Sequence, residues 1–581
     1  MTPAATNIGD SGNGGGKHRL DGHLDDTIVL GNAADIAKAA ELSAPRYTAR
    51  HAHIEIPSGP AGASGEPGEK PLSSKLRRGA AWSAASTLIM RFGNIAIMAV
   101  VARTLAPRDF GIFAVAMTIH AIVSSIAELG VASCLIRGDV DVDEYAPTVG
   151  AISLISSTVF AAIMFVFARP LSAAVGSVDA APAMRVMALA VVLVGIFAVP
   201  GAELARDFRQ DAQFYANLAG FVVANSVLLV LAKNGGGALS FAWSRVVGQL
   251  AVGAGIWFFV RRYHRPRLSR QHAKFVLGFG LPLAGANLLN YAMLNTDYVF
   301  VGHLLGPIEL GLYMLAFNIS SWAGSLMNSM LNTIAMPAFS RIKHDAELLE
   351  TGLVRAFVAL SFIALPTCAL TATLAHPLVR TVYGGRWDKA ATVLAVLAIY
   401  GAISVFCLLC GNVLSGMGRT NLLLVTQIPW LGALVVGMAI GVHFGGIEGA
   451  AWAHTVVVCC VALPVYLYMV KRATNVRFML VIRAVFPVVV AAGAAAGTAA
   501  AVSHMVSNEV LRLLLGGSTG SVVYICLALP MAADVLGGRR LPLPASLTRA
   551  MDSYADALRR VGLGIAAPEP ATPTNVAKDS Y

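Results

Sequence analysis

The chain carries VARTLAPRDFGIF at residues 101–113 and the related VGHLLGPIELGLY at residues 301–313. Each stretch contains the end of one apolar segment, a turn with Pro and Gly, and the start of the next apolar segment. The match continues at Ala116 and Ala316. Because the interval of two hundred residues spans six apolar segments, both copies have the same orientation. This pattern predicts a parallel internal repeat with an axis along the membrane normal, as in transporters that rock one half against the other.

The composition of the chain excludes a water-soluble protein. Of its 581 residues, 56% are hydrophobic and 13% are charged, whereas soluble globular proteins have about 25% charged residues. Such a chain has too little charge to cover a soluble surface and too much apolar area to remain disordered. The composition therefore predicts an integral membrane protein.

The apolar segments from residue 79 onward are close to 20 residues long, which is the length of a helix that crosses the bilayer core of about 30 Å. We predict an all-α membrane protein with about fourteen transmembrane helices, in two pseudo-symmetric six-helix lobes followed by a C-terminal helix pair. The predicted domains are a disordered cytoplasmic tail (1–74), an N-lobe with helices 1–6 (75–262), a C-lobe with helices 7–12 (274–472), helices 13 and 14 (476–536) and a cytoplasmic C-terminal tail (537–581).

The distribution of Lys and Arg predicts the orientation in the membrane. The loops on the side of the N-terminal tail, including the basic linker 261–274, hold well over twice as many basic residues near the helix ends as the opposite loops. Basic loops are retained on the cytoplasmic side. We therefore expect both termini to be cytoplasmic and the protein to lie in the cell (inner) membrane.

Other sequence signals indicate no cofactor and no metal. The glycines before Lys17 lack the spacing of a phosphate-binding loop. Cys407 and Cys410 lie in an apolar segment without a nearby His, which favours packing over redox chemistry or metal binding. In a membrane protein the net charge of +11 reflects the basic loops, so we expect no nucleic-acid partner.

The duplicated turns resemble the polysaccharide transport branch of the multidrug/oligosaccharidyl-lipid/polysaccharide flippase superfamily. The resemblance rests on NTDYVFVGHLLGPIELGLYMLA at 295–316, RTLAPRDFG at 103–111 and LVRTVYGGRW at 378–387, and it covers roughly residues 75–535. It implies an exporter of the lipopolysaccharide or exopolysaccharide type that flips undecaprenyl-diphosphate-linked oligosaccharide by alternating access. The implied partners are this lipid, membrane lipids and other polysaccharide assembly proteins, and the implied state is a monomer.

Two alternative functions stay open at the sequence level. A cation-coupled multidrug exporter of the same superfamily has a compact, largely apolar drug pocket. A membrane polysaccharide polymerase or ligase, which is an enzyme, typically uses a large outer loop with clustered Arg, His or acidic residues. The predicted helix boundaries leave no outer loop of that size, so we expect no enzymatic activity and no catalytic residue.

Two arginines within the predicted helices are candidates for binding the diphosphate. Arg91 lies midway along the first predicted helix, and Arg245 lies near the start of the sixth, beside Trp243 and Gln249. A guanidinium binds phosphate oxygens in a bidentate manner. The alternatives are an ion pair between Arg91 and Glu128 and an interfacial position for Arg245.

Acidic residues within the helices are candidates for ion coupling, since an ionisable group at the centre of a membrane helix costs about 2.5–3.5 kcal/mol on insertion scales. Asp297 is a candidate cation or proton site and a candidate hydroxyl acceptor for sugar, whereas a helix-end network with Asn295 and His303 is its structural alternative. Glu128 is a second candidate for proton relay. For His120, also within a predicted helix, packing is favoured over proton transfer.

The seventh predicted helix carries two asparagines that are candidates for binding sugar. Asn287 and Asn290 lie three residues apart and so share one face of the helix. Amides both donate and accept hydrogen bonds, which suits sugar hydroxyls. The alternative is interhelical hydrogen bonding, worth about 0.6 kcal/mol each.

Overall fold

A computed structural model of the protein describes residues 90, 93–136, 140–207, 209–262, 264–331, 339–340, 342 and 345–535. The predicted tails at 1–74 and 537–581 therefore lie outside the described residues, as does the candidate Arg91. The described part is helical and contains no β-strand. The prediction of an all-α membrane protein is confirmed.

The helices of the first half follow one another with short connections. In chain order they are α1 (Gly93–Thr104), α2 (Pro107–Ala127), the short α3 (Ala132–Ile136), α4 (Val142–Val166), the short α5 (Ala168–Ala174), α6 (Ala181–Arg206), α7 (Gln210–Lys233) and α8 (Ala238–Val260).

The helices of the second half repeat this arrangement and add a final pair. They are α9 (Arg270–Leu305), α10 (Pro307–Met330), α11 (Ala346–Thr373), the short α12 (Ala375–Val382), α13 (Asp388–Gly416), α14 (Thr420–Val457), α15 (Leu463–Thr474), α16 (Phe478–His504) and α17 (Glu509–Val535). Within α14, Gly446 has a φ of 56°, a left-handed conformation that glycine adopts without steric cost, and it separates two helical segments.

Eleven segments of the described part are long and apolar enough to cross a membrane. One of them contains the break at Gly446, and α10 and the incompletely described α1 are not among the eleven. The chain is therefore a multi-pass membrane protein, whereas the count of fourteen helices and the domain boundaries remain predictions.

The two copies of the repeated turn begin helices in the same way. Pro107 and Pro307 are the first residues of α2 and α10, a position where proline is favoured because its missing N–H has no partner to lose. The carboxylate of Asp109 accepts a hydrogen bond of 3.1 Å from the backbone N–H of Ala106, which fixes the start of α2.

The two halves share one apolar core at the end of the molecule that carries the repeated turns, which we call the closed end (residues 105–111 and 305–311 and their surroundings). Its core combines side chains of both halves, such as Phe110 and Val115 with Tyr313 and Trp387. At the opposite end the described residues form separate clusters in the two halves, and the N-terminal cluster includes only the start of α9 from the second half. The halves are thus joined at one end and divided at the other.

Glycines allow backbone to meet backbone at the closed end. A Cβ atom on Gly111 would overlap the carbonyl oxygen of Pro307, and a Cβ atom on Gly311 would overlap the carbonyl oxygen of Pro107. The two contacts are reciprocal, as expected for a pseudo-twofold axis that passes between the halves. Both repeated glycines are therefore required for the halves to approach this closely.

Trp387 fills the closed end from the second half. Its side chain is fully buried, its indole N–H donates a 2.9 Å hydrogen bond to the carbonyl oxygen of Ala102, and its ring meets Phe110 edge-on with centroids 4.8 Å apart. It therefore connects the two halves by packing and by a hydrogen bond.

We expect Trp387→Ala to destabilise the folded protein by about 3–5 kcal/mol, the usual cost of truncating a buried Trp, with the Ala102 carbonyl left without its donor. The measurement is the midpoint of thermal unfolding of the purified protein. Trp452→Ala is the matched control, because the Trp452 side chain is 52% exposed. Equal midpoints for the two variants would contradict the assigned role of Trp387.

Candidate functional site

Arg245 lies on α8, near His120 of α2 in the same half and Tyr291 of α9 in the other half, and we use the word cleft for the region between Arg245 and Tyr291. The guanidinium interacts electrostatically with both of those side chains. It is exposed and makes no ion pair within the part of the chain that the structure describes. An unpaired cation at membrane depth is costly, so Arg245 is suited to receive an anionic ligand.

Asn287 and Asn290 lie on the face of α9 that also carries Tyr291 and Leu294, by helical spacing. Asn287 is half-buried and Asn290 is exposed. Neither side chain makes a hydrogen bond to another residue of the described ranges. Both amides are therefore free to contact a ligand in the cleft, and no interhelical bond is found for them.

Asp297 lies one to two turns further along α9 and is buried inside the second half, with 1% of the residue exposed. Its Oδ2 atom lies 3.4 Å from Nε2 of His454 on α14. This pair is too long and too poorly aligned for a good hydrogen bond. The phenol of Tyr313 faces the same carboxylate from α10.

Aromatic rings enclose the Asp297–His454 pair. The ring of His454 contacts Phe317 of α10 and Tyr400 of α13, with centroids 5.7 and 4.9 Å apart. Four buried polar atoms here have no well-formed hydrogen bond within the described part: Asp297 Oδ2, the two ring nitrogens of His454 and the Tyr313 hydroxyl oxygen. Because buried polar groups are normally paired, a proton shared within this group would satisfy atoms that now lack partners.

The structural alternative for Asp297, a helix-end network with Asn295 and His303, is not observed among the described residues. Asn295 donates a 2.7 Å hydrogen bond to the carbonyl oxygen of Tyr291 in its own helix, and His303 lies 3.0 Å from the carbonyl oxygen of Ala174. No hydrogen bond from either residue to Asp297 is found in the described part of the chain. His454 takes the place of both, and the sequence offered no signal for it beyond a lone histidine in an apolar segment.

Glu128 lies apart from the other candidates, directly after the last residue of α2. It is exposed, yet the surrounding protein partly desolvates the carboxylate and raises its pKa. No ion pair of Glu128 is found among the described residues, and its expected partner Arg91 lies outside them. Its assignment to ion coupling stays a prediction.

A cavity of about 520 Å³ lies within the second half, and we call it the C-lobe cavity. It is bounded by α9, α10, α13, α14 and α15. Phe317 and Tyr400 line it and also contact His454. The structure therefore brings the cavity and the Asp297–His454 pair together, whereas Arg245 lies across the cleft.

Comparison with known proteins identifies a family for this chain. The family model described as "Polysaccharide biosynthesis protein" matches residues 100–392. That range contains the repeated turns, Arg245 and Asp297.

Similar proteins and a similar structure agree with this match. The chain is 27% identical to the succinoglycan biosynthesis transport protein ExoT of Rhizobium meliloti, over 80% of this chain and 94% of ExoT. It is 23% identical to the lipopolysaccharide biosynthesis protein WzxC of Escherichia coli, over 69% of this chain and 82% of WzxC. The lipid II flippase MurJ in an inward closed conformation shares the fold, with a TM-score of 0.64, 12% identity, and coverage of 78% of this chain and 99% of MurJ.

Proposed function

Because the chain belongs to the polysaccharide biosynthesis protein family, we propose that it flips undecaprenyl-diphosphate-linked oligosaccharide across the cytoplasmic membrane by alternating access. It is a membrane transporter and not an enzyme, in line with its relatives ExoT and WzxC. The precursor is of the lipopolysaccharide or exopolysaccharide type. In this proposal both termini are cytoplasmic, the working unit is a monomer, and the chain cooperates with other polysaccharide assembly proteins.

The observation that carries this proposal is Arg245, an unpaired guanidinium that faces Tyr291 across the cleft. A diphosphate is doubly anionic and forms bidentate hydrogen bonds with arginine. Asn287 and Asn290 add neutral donors and acceptors on the opposite wall. The polyprenyl tail remains in the lipid while the head group enters the cleft.

We assign the coupling of transport to the Asp297–His454 pair. An imidazole can accept and donate a proton, whereas a sodium ion is bound by oxygen atoms, and the Asp297 carboxylate faces a ring nitrogen of His454. This supports proton coupling over sodium coupling. Because Phe317 and Tyr400 contact His454 and also line the C-lobe cavity, a change of protonation at the pair acts on the wall of that cavity.

The proposal is tested by glycolipid analysis of a deletion strain. We expect the deletion to cause accumulation of lipid-linked oligosaccharide inside the cell and loss of surface polysaccharide, and the full chain to restore both. Normal surface polymer without accumulation would contradict the proposal. Increased drug sensitivity with normal polymer would instead favour the multidrug exporter.

We expect Arg245→Ala to weaken binding of undecaprenyl diphosphate to the purified protein by about tenfold or more, because a charge-assisted bidentate contact is lost. Arg245→Lys keeps the charge without the bidentate geometry, so its affinity should lie between those of the unaltered protein and Arg245→Ala. Lys233→Ala is the control, since Lys233 is an exposed cation at the end of α7. Unchanged affinity in Arg245→Ala would remove this residue from the site.

A further inference from the structure

The wall of the C-lobe cavity is uncharged, and hydroxyl and amide side chains are set into a mostly apolar lining. Ser404 and Asn412 of α13, Gln427 and Trp430 of α14, and Tyr466 of α15 are among its lining residues. Asp, Glu, Lys, Arg and His are all absent from its described lining. Such a surface disfavours a diphosphate or an acidic sugar, which would bring charge into a site that has nothing to pair with it.

Several lining groups have hydrogen-bonding capacity that the protein itself does not use. The Gln427 side chain makes no hydrogen bond to another described residue, and neither does the indole N–H of Trp430. The Asn412 amide nitrogen donates to the carbonyl oxygen of Leu408, which leaves its own oxygen free to accept. The Ser404 hydroxyl likewise donates within its helix and can still accept.

Two rings form an apolar part of the same wall. Trp430 and Tyr466 meet edge-on, with centroids 6.2 Å apart and an angle of 79° between their planes. The flat face of an aromatic ring packs against the C–H face of a pyranose, while amide and hydroxyl groups bind the hydroxyls around its edge. The volume of about 520 Å³ falls within the range of about 300–1,000 Å³ that is typical of small-molecule sites.

The cavity is connected to the cleft through α9. Leu294 lines the cavity and lies one helical turn beyond Tyr291, the partner of Arg245. One face of α9 therefore borders both Arg245 and the C-lobe cavity.

We propose that the C-lobe cavity is a binding site for a neutral pyranose of the transported glycolipid, with Trp430 as the stacking surface and Gln427 as the principal hydrogen-bonding group. This inference rests on the proposed function and adds to it a division of labour. Arg245 in the first half binds the diphosphate, and the C-lobe cavity in the second half binds the sugar. Shared contacts with Phe317 and Tyr400 place the sugar beside the Asp297–His454 pair.

The test compares two lipids that differ by one sugar. Binding of undecaprenyl diphosphate and of undecaprenyl diphosphate carrying a single glucose is measured by native mass spectrometry on the purified full chain in nanodiscs. We expect the unaltered protein to bind the glucosylated lipid about tenfold more tightly, the equivalent of one or two added hydrogen bonds. Trp430→Ala and Gln427→Ala should each reduce this preference to about twofold or less without changing the affinity for the bare lipid.

Matched variants separate sugar binding from folding. Trp452→Ala and Asn421→Ala change exposed residues of α14 and should keep the full preference for the glucosylated lipid. Trp430→Phe, which retains an aromatic ring, should keep most of it. Arg245→Ala should weaken binding of both lipids equally.

Three outcomes would overturn the inference. The first is that the unaltered protein binds the two lipids with equal affinity. The second is that Gln427→Ala lowers the affinity for both lipids by the same factor. The third is that the protein binds a lipid carrying glucuronic acid more tightly than the glucosylated lipid. Binding of neither lipid by the unaltered protein would instead defeat the proposed function itself, and the inference with it.

Discussion

Asp297→Asn should reduce export of lipid-linked oligosaccharide to below about 1% of the unaltered level. Loss of a positioned proton-transfer group typically lowers a rate by about a hundredfold or more. The substitution keeps the size of the side chain but removes the charge that faces His454 at 3.4 Å. Without a titratable carboxylate, a proton bound at His454 has no counter-charge in a buried site. The measurement is surface polysaccharide in a deletion strain that carries the variant.

A reconstituted system distinguishes a coupling role of Asp297 from a structural one. In proteoliposomes, an imposed pH gradient should accelerate flipping by the unaltered protein and leave Asp297→Asn and His454→Gln unaffected. Asn295→Ala is the control, because its amide bonds only to its own helix among the described residues. Full gradient-driven flipping by Asp297→Asn would exclude this residue from coupling.

Gly311→Ala should abolish transport almost completely while leaving the protein folded. The added methyl group would overlap the carbonyl oxygen of Pro107, and main-chain atoms cannot move aside as the end of a flexible side chain can. The closed end therefore cannot form in this geometry, and the conformational cycle loses one of its two states.

The distance between spin labels at Arg108 and Ile308, two exposed residues on either side of the closed end, measures this effect. We expect a shift to longer distances in Gly311→Ala. Gly285→Ala is the matched control, since nothing lies within 4 Å of the Cβ position on Gly285. Unaltered distances together with normal export would show that the two halves need not approach so closely.

The sequence predicted the helical architecture because the responsible signals are local. The repeated Pro and Gly of the turns mark the starts of α2 and α10. The similarity of the turns also identified the family. A repeat could not, however, reveal that Gly111 faces Pro307 while Gly311 faces Pro107, because that pairing arises only when the halves assemble.

The candidate site was predicted in part. Arg245 and Asp297 stood out because charge is rare in apolar helices, and the structure places Arg245 near Tyr291 and Asp297 beside His454. The partner of Asp297 could not be predicted, because His454 lies on a helix far away in the chain. The C-lobe cavity likewise depends on how five helices pack, since its polar residues are scattered singly along α13, α14 and α15.

The apolar character of the closed end has a consequence for the temperature dependence of the transport cycle. Phe110, Tyr313 and Trp387 are essentially inaccessible there, so each opening of the closed end exposes aromatic surface to water and raises the heat capacity. The enthalpy of that step then grows on warming, and a plot of the logarithm of turnover against inverse temperature bends instead of following a straight line. Organisms that grow at different temperatures would thus tune this exporter most directly by changing the size of those few rings.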